Sequence, residues 1–239
     1  MALHFLREIE TLKERVLRLS VEVEERLHQA LKAVAERDVL LAQKVMAGDA
    51  EIDAREVAIE EECLKLLALH QPVASDLRFL IVALKVNNDL ERMGDLAVNI
   101  ADRARLLARV PASSLELQIP RMGAAVAVMI RQVFQAFMRH DARLAAEVIA
   151  SDDVVDDMNR EMIARVVDRV RRGDEAAEAL LLLLGVSREL ERVGDHATNI
   201  AEDLIYMFEG EIVRHHKDEI LRISGVPRPS SRTSGPPPA

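Results

Sequence analysis

Two stretches of the sequence carry acidic and amide side chains in the same order and at the same spacing. The segment DLERMGDLAVNIAD, from Asp89 to Asp102, returns as ELERVGDHATNIAE, from Glu189 to Glu202, at an offset of 100 residues. The oxygen-bearing side chains recur every three or four residues, which places them on one face of an α-helix. They are Glu91, Asp95, Asn99 and Asp102 in the first copy and Glu191, Asp195, Asn199 and Glu202 in the second. A pattern used twice predicts a duplicated domain with a duplicated site.

Several of these acids stand four residues apart, where like charges repel each other on a helix. A solvated helix face usually pairs an acid with Lys or Arg at that spacing, and such a pair is stabilising by a few tenths of a kcal/mol. Four acid-x-x-x-Asp pairs occur, the last two at an offset of 103 from each other: Glu91/Asp95, Glu191/Asp195, Asp49/Asp53 and Asp152/Asp156. Bound cations would relieve the repulsion, so we interpret the four pairs as metal ligands.

The ligand chemistry favours hard cations. Carboxylate oxygens, joined by the amide oxygens of Asn99 and Asn199 and without Cys or His at ligand spacing, indicate Mg²⁺, Mn²⁺, Ca²⁺ or iron rather than structural zinc. The sequence does not select among these ions. Arg92 is adjacent to the acids and either pairs with a carboxylate or faces solvent. Gly94 and Gly194 cost about 1 kcal/mol each inside a helix relative to Ala, so we attribute them to close helix–helix approach.

The elements that position these residues are predicted to be helices. The chain has 239 residues, 49% of them hydrophobic, with one Tyr and no Trp, and this composition favours an all-α protein without strands. The repeat predicts two tandem, pseudo-symmetric three-helix bundles. The helices are expected at about 3–37, 38–69 with an irregularity at Gly48-Asp49, 72–109 with Pro72 in its first turn, 121–139, 141–171 and 174–223.

The repeat also predicts the domain organisation. Residues 1–110 and 111–223 form the two repeats, with 111–120 as the linker, and the Pro- and Ser-rich tail 224–239 is expected to be disordered. The third helix of each half is apolar on two faces over its first part. Phe79 and Val82 lie on one face and Leu77 and Ile81 on the other, so we expect both faces to be covered by protein.

Composition and motifs argue against several functional classes. A formal net charge of −9, without clusters of basic and aromatic residues, argues against a nucleic-acid binder. The longest wholly apolar run, 179–184, is too short for a membrane span and no signal-peptide pattern opens the chain, so we expect a cytoplasmic protein. No Gly-rich phosphate loop follows a strand, so nucleotide hydrolysis is not expected. Cys63 has apolar neighbours and is interpreted as a small buried residue.

These motifs carry a family resemblance. Two copies of ER-hydrophobic-GD…NIA, together with HQPVASDLR from His70 to Arg78, resemble the PhoU family of bacterial phosphate-signalling proteins over about residues 3–223. The resemblance implies two three-helix bundles, a metal cluster on each bundle held by acid-x-x-x-Asp motifs, and frequent dimerisation. It also implies a non-enzymatic negative regulator that links the ATPase subunit of a phosphate ABC transporter to the membrane histidine kinase controlling the phosphate regulon.

Carried over onto this chain, the resemblance makes Glu91, Asp95, Glu191 and Asp195 the metal ligands. The family's pattern continues into Asn99 and Asn199, and the four upstream aspartates match it less closely: Asp49, Asp53, Asp152 and Asp156. The second copy has RRGDEAAEA in place of HQPVASDLR, so whatever that segment does is expected to be done once.

The residues leave two other functions open. A ferritin-like di-iron carboxylate enzyme also uses helical acids, but it needs two Glu-x-x-His pairs in a bundle core. This chain offers only Glu25 with His28, without a counterpart in the second half. His196 lies within the repeated motif but corresponds to Leu96, so the repeat does not require it. The third interpretation is a metal-free adaptor whose acidic stripes dock on basic partner surfaces.

Overall fold

The computed structural model describes residues 2–173 and 177–210, and every regular element in these ranges is helical. The predicted all-α class is therefore confirmed for the described part of the chain. The elements are α1 (Ala2–Glu36), α2 (Val39–Ala47), α3 (Asp49–His70), α4 (Ala74–Leu107), a 3₁₀ turn (Ser114–Gln118), α5 (Ile119–Arg139), α6 (Ala142–Arg172) and α7 (Ala177–Glu209). The tail 224–239 and the end of the sixth predicted helix lie outside the described residues.

The repeat is visible in the geometry of the turn that follows the first helix of each half. Arg37 and His140, 103 positions apart, both adopt left-handed backbone with φ of 53° and 55°. Asp38 and Asp141 then cap the next helix, since their side chains accept hydrogen bonds from the main-chain N–H groups three residues on. The same local chemistry therefore starts the second helix of both halves.

Two details of the helix boundaries differ from expectation. The predicted irregularity at Gly48 is a complete break between α2 and α3, whereas its counterpart Ser151 lies inside the continuous helix α6. The prediction that Pro72 opens the third helix is wrong. α4 begins at Ala74, and Gln71 ends α3 in left-handed backbone, so Pro72 lies in the extended connection.

The helices form two three-helix bundles joined along their third helices. α1, the α2–α3 pair and α4 pack together in the first half, and α5, α6 and α7 in the second, while α4 packs along α7 and α1 contacts α5. One apolar core runs through both halves, and it includes Leu12, Leu27, Leu90, Ile130 and Phe137. α4 and α7 are therefore the central pair that positions both copies of the repeated motif.

The expectation that α4 is covered on both faces is wrong for part of its length. Leu80, Val82 and Val86 are buried, but the side chains of Leu77 and Ile81 remain 39% and 38% exposed. Leu181, the counterpart of Ile81 in the second repeat, is 61% exposed. Leu77 and Ile81 therefore form a short exposed apolar strip near the start of α4, and Leu181 is exposed toward the other end of the antiparallel helix pair.

Candidate metal centres

The first group of carboxylates lies where α3 packs on α4. Asp49 and Asp53 are on α3, and Glu91 and Asp95 are on α4. The side chains are close enough for Asp49 to interact with the charge of Asp95, and Glu91 with that of Asp53. The structure thus brings together all four acids that the sequence predicted for this half. We call them, with Glu56 described below, the first carboxylate set.

The electrostatics of this set reflect crowding of like charges. Partial burial raises the pKa of Asp49, and the carboxylates of Asp53 and Asp95 raise it further, with an opposing contribution from Arg26. Partial burial, followed by the neighbouring Asp95, likewise raises the pKa of Glu91. The sequence left open whether Arg92 pairs with a carboxylate or faces solvent, and in the structure it pairs with two carboxylates. It is half exposed and lies 3.4 Å from Glu91 Oε2 and 3.5 Å from Asp95 Oδ2.

The second carboxylate set comprises Asp152 and Asp156 on α6 with Glu191 and Asp195 on α7. Burial raises the pKa of Glu191, and Asp156 and Asp152 raise it further. Burial, then Glu191 and Asp156, raise the pKa of Asp195, while His196 opposes this shift. The two repeats therefore build the same four-carboxylate arrangement between their second and third helices.

Glu56 is a member of the first set that sequence reasoning missed. Burial, then Glu60 and Asp53, raise its pKa, and its charge also acts on Glu91. Asn87 positions Glu56, because its Nδ2 group donates hydrogen bonds to the main-chain carbonyl of Glu56 (2.9 Å) and to its Oε1 atom (3.2 Å). Its spacing of three residues from Asp53 could have revealed it, because that step continues the stripe on the same helix face.

In the second half, a hydrogen bond between two neutral side chains takes the place of the contact between Asn87 and Glu56. Asn159, the counterpart of Glu56, accepts a 2.8 Å hydrogen bond from the hydroxyl of Ser187, the counterpart of Asn87. Both residues are buried. The first set therefore contains one more carboxylate than the second.

The two asparagines do not join the carboxylates in the same way. Asn99 is exposed, and its main-chain carbonyl accepts a hydrogen bond from Arg103. Asn199 lines a separate polar cleft between α4 and α7, together with Lys85, Asp89 and Asp203. Their assignment as metal ligands stays a prediction.

The motif glycines lie against the helix that carries the upstream acids. A Cβ at Gly94 would lie 3.2 Å from Ile52 Cδ1 on α3, which is tighter than ordinary contact. A Cβ at Gly194 would lie 3.5 Å from Val155 and 3.7 Å from the Asp152 carboxylate on α6. The small residue thus permits the third helix to approach the second closely enough to bring the carboxylates together, most strictly in the first half.

The donor sets fit a hard cation in their chemistry. Both consist of carboxylates from two helices, which are partly buried except for the exposed Asp53 and Asp195, and the buried Asp49 Oδ1 accepts no hydrogen bond from the described residues. Within residues 2–173 and 177–210, however, no three acidic, His or Cys side chains are arranged so that they could hold a metal ion without moving. Side-chain rotation toward a common point is therefore required for coordination.

A second polar cluster, unforeseen from the sequence, joins the two halves along α4 and α7. Lys85 Nζ lies 2.7 Å from Asp203 Oδ1, and His196 Nδ1 lies 2.7 Å from Asp89 Oδ1. Arg103 on α4 also forms an ion pair with Glu189 on α7, with 2.9 Å between Nη2 and Oε1. These contacts explain His196 as a residue of the interface between halves.

Other sequence candidates lie away from the carboxylates. Glu25 and His28 line a groove between α1 and α5, so they do not meet the acids of either set. Cys63 is buried as expected, and burial raises its pKa to about 12. Among the described helices, none combines the length and the apolar character needed to cross a membrane.

Comparison with known proteins gives one consistent result. A family model for the PhoU domain matches residues 16–104 and again residues 119–204. The chain is 36% identical over 210 residues to a Thermotoga maritima protein named phosphate-specific transport system accessory protein PhoU homolog 1, with 87% of this chain and 90% of that protein covered.

Two crystal structures are similar over nearly the same extent. The structure of PhoU from Pseudomonas aeruginosa superposes with a TM-score of 0.82 at 36% identity and covers 87% of this chain and 100% of the other. The phosphate transport system regulatory protein PhoU from Streptococcus pneumoniae gives a TM-score of 0.81 at 31% identity, covering 87% and 99%.

Proposed function

This chain belongs to the PhoU family of phosphate-transport accessory proteins, and we propose that it is a metal-binding, non-enzymatic adaptor that represses phosphate uptake and the phosphate regulon. In this role it links the ATPase subunit of the phosphate ABC transporter to a phosphate-sensing histidine kinase. We further propose that it works in the cytoplasm as a homodimer.

The observation that carries the metal-binding part is the duplicated meeting of four carboxylates between the second and third helices. Asp49, Asp53, Glu91 and Asp95 would hold the ion in the first half, with Glu56 at the edge of the site. Asp152, Asp156, Glu191 and Asp195 would do so in the second. A bound Mg²⁺, Mn²⁺, Ca²⁺ or iron ion supplies positive charge that offsets the repulsion among these acids. The acids hold the second and third helices at a fixed distance once their charges are balanced.

An adaptor suits this geometry better than an enzyme. The carboxylates lie at the outer edge of helix pairs, and Asp95 and Arg92 are partly open to solvent. A di-iron carboxylate enzyme would instead place Glu-x-x-His ligands inside a bundle. His28, the one histidine with that spacing, is exposed in the groove between α1 and α5.

The exposed apolar side chains of the central helices offer a region for partners. Leu77 and Ile81 form an apolar strip near the start of α4, and exposed apolar side chains with charged residues around them are typical of protein interaction surfaces. Charge near the strip would select the partner and its orientation, while the apolar contact would supply affinity. Metal uptake would change the charge further along α4, and this couples ion binding to docking.

The functional proposal is tested by deleting the gene and by capture of the tagged protein. Deletion is expected to leave phosphate-starvation genes expressed in phosphate-rich medium, and the tagged protein should recover the transporter ATPase or the kinase. A strain carrying Leu77→Asp with Ile81→Asp should show the same derepression if the strip is the docking surface. Normal repression in the deletion strain would reject the regulator assignment.

A further inference from the structure

A largely buried arginine side chain distinguishes the first carboxylate set from the second. Arg26 on α1 points at the start of α3, where its Nη1 atom lies 3.8 Å from Asp49 Oδ1, and only 12% of its side chain is exposed. Both atoms are buried, and neither has a hydrogen-bond partner among the described residues. The contact is therefore an ion pair just beyond hydrogen-bond distance, at the edge of a group of acids.

Gly48, at the break between α2 and α3, makes room for this side chain because it has no Cβ atom. A Cβ at Gly48 would lie 2.7 Å from Arg26 Nη2 and 3.2 Å from Cζ, closer than a side chain can be placed without movement. The second half has neither feature. Ser151 replaces Gly48 inside a continuous helix, and the counterpart of Arg26 is Met129, which is buried and neutral.

We propose that Arg26 is a built-in counter-cation of the first carboxylate set and lowers the affinity of that set for divalent cations. This inference rests on the proposed metal binding. A guanidinium group keeps its charge at all physiological pH values, so an ion entering beside Asp49 meets a fixed positive charge and competes with it for the carboxylate. The Asp49 Oδ1 atom is the shared ligand in this competition.

The charges of the two halves support this role. The first set contains Glu56 where the second has Asn159, so without Arg26 it would carry one more negative charge. Arg26 offsets that charge within the protein. Arg92 and Arg192 flank the two motifs alike and so do not distinguish the halves. Arg188, the counterpart of Asn88, acts on Glu191 in the second half, but it is exposed, whereas the Arg26 side chain is largely buried against Asp49.

The test measures Mn²⁺ binding to one set at a time by titration calorimetry. In a protein whose second set is removed by Glu191→Ala and Asp195→Ala, Arg26→Met is expected to tighten Mn²⁺ binding to the first set about tenfold or more, the size expected for removing one charge near a divalent ion. Arg26→Lys keeps the charge and should bind within a few-fold of the parent. Met129→Leu, placed in a protein lacking the first set through Glu91→Ala and Asp95→Ala, should leave the affinity of the second set unchanged.

The outcomes separate this inference from the metal proposal itself. Unchanged or weaker Mn²⁺ binding by the Arg26→Met protein, with the second set still binding normally, overturns the role of Arg26 alone. No Mn²⁺ binding by either set in any of these proteins overturns both. Because Arg26→Met leaves Asp49 without its partner and could unfold the protein, Arg26→Gln is measured alongside it, and a tightening in that variant is required as well. The increase in melting temperature on adding Mn²⁺ should also be larger for the neutral variants than for Arg26→Lys.

Discussion

Lys85 on α4 and Asp203 on α7 form an ion pair across the junction of the two halves, with 2.7 Å between Nζ and Oδ1. The Asp203 side chain is only 6% exposed. Burial, and then the nearby carboxylate of Asp89, raise the pKa of Asp203 to about 7 even with Lys85 beside it. The junction therefore contains a carboxyl group that gains or loses a proton near neutral pH.

The first prediction is that this group makes stability depend on pH. Its pKa rises from 3.8 in the unfolded chain to about 7 in the folded protein, so the folded state binds more protons between those values. Its contribution to the free energy of unfolding is complete below pH 3.8 and is lost as the pH rises toward 7. Relative to Asp203→Asn, the wild type should lose on the order of 1 kcal/mol between pH 5 and 7, after allowance for solvent screening. Urea unfolding at four pH values measures this difference, and parallel curves for the two proteins would contradict the assignment.

The second prediction uses the two motif glycines as a matched pair. Gly194→Ala should stabilise the protein by about 1 kcal/mol through helix propensity, since its Cβ meets Val155 at 3.5 Å, an ordinary contact. Gly94→Ala should gain less or lose stability, because its Cβ would lie 3.2 Å from Ile52 Cδ1. The measurement is the free energy of unfolding of each variant. An equal gain in both would mean that helix packing at Gly94 is no closer than at Gly194.

The third prediction concerns the repeated helix caps. Asp38→Ala and Asp141→Ala each remove a side-chain hydrogen bond to a main-chain N–H group, at 3.0 Å and 2.9 Å. Each should lower the free energy of unfolding by about 1 kcal/mol, and the double variant should lose the sum because the sites lie in different halves. Replacement by Ser, which can cap in the same way, is the control and should cost much less.

The repeat explains how much of this protein could be foreseen from its sequence. Because the helical period and the repeat at offsets of 100 and 103 residues both indicate it, the three-helix plan of each half follows from the pattern. A cluster that joins Asp49 and Asp53 with Glu91 and Asp95 is what the family resemblance implies. The interface between halves follows from neither, since the contacts of Lys85 and His196 depend on how α4 lies along α7. No local sequence signal encodes that packing.

The role of Arg26 could not be predicted from the sequence either, because it also depends on how the helices pack. On α1, Arg26 is one of many charged residues, and its position beside Asp49 depends on Gly48, which leaves room for the guanidinium because it has no Cβ atom. The sequence marked Gly48 as an irregularity but gave no reason for it. The prediction that Pro72 starts the third helix was wrong for a related reason. Gln71 ends α3 in left-handed backbone, and α4 begins only at Ala74.

The fourth prediction concerns the free energy that cations add. If the carboxylate sets bind Mn²⁺ when folded, a concentration of 100 times Kd should stabilise the protein by about 2.7 kcal/mol per site and raise the melting temperature by several degrees. Without metal, Glu91→Gln should stabilise the protein by a few tenths of a kcal/mol, since it removes repulsion with Asp95. Thermal melts with Mn²⁺ and with chelator give both values. A loss of stability in metal-free Glu91→Gln would contradict the repulsion on which the site assignment is built.

The most direct test of the central claim is the metal content of the two halves counted separately. The protein is purified without chelator, equilibrated with Mn²⁺ and analysed for metal per chain, as wild type, as Glu91→Ala/Asp95→Ala, as Glu191→Ala/Asp195→Ala and with all four substitutions. A variant with Glu25→Ala and His28→Ala is the control, because these residues line the groove between α1 and α5. Each double variant is expected to lose only the metal of its own half, the fourfold variant to lose all of it, and the control to keep it. A wild-type metal content in the fourfold variant would contradict the account.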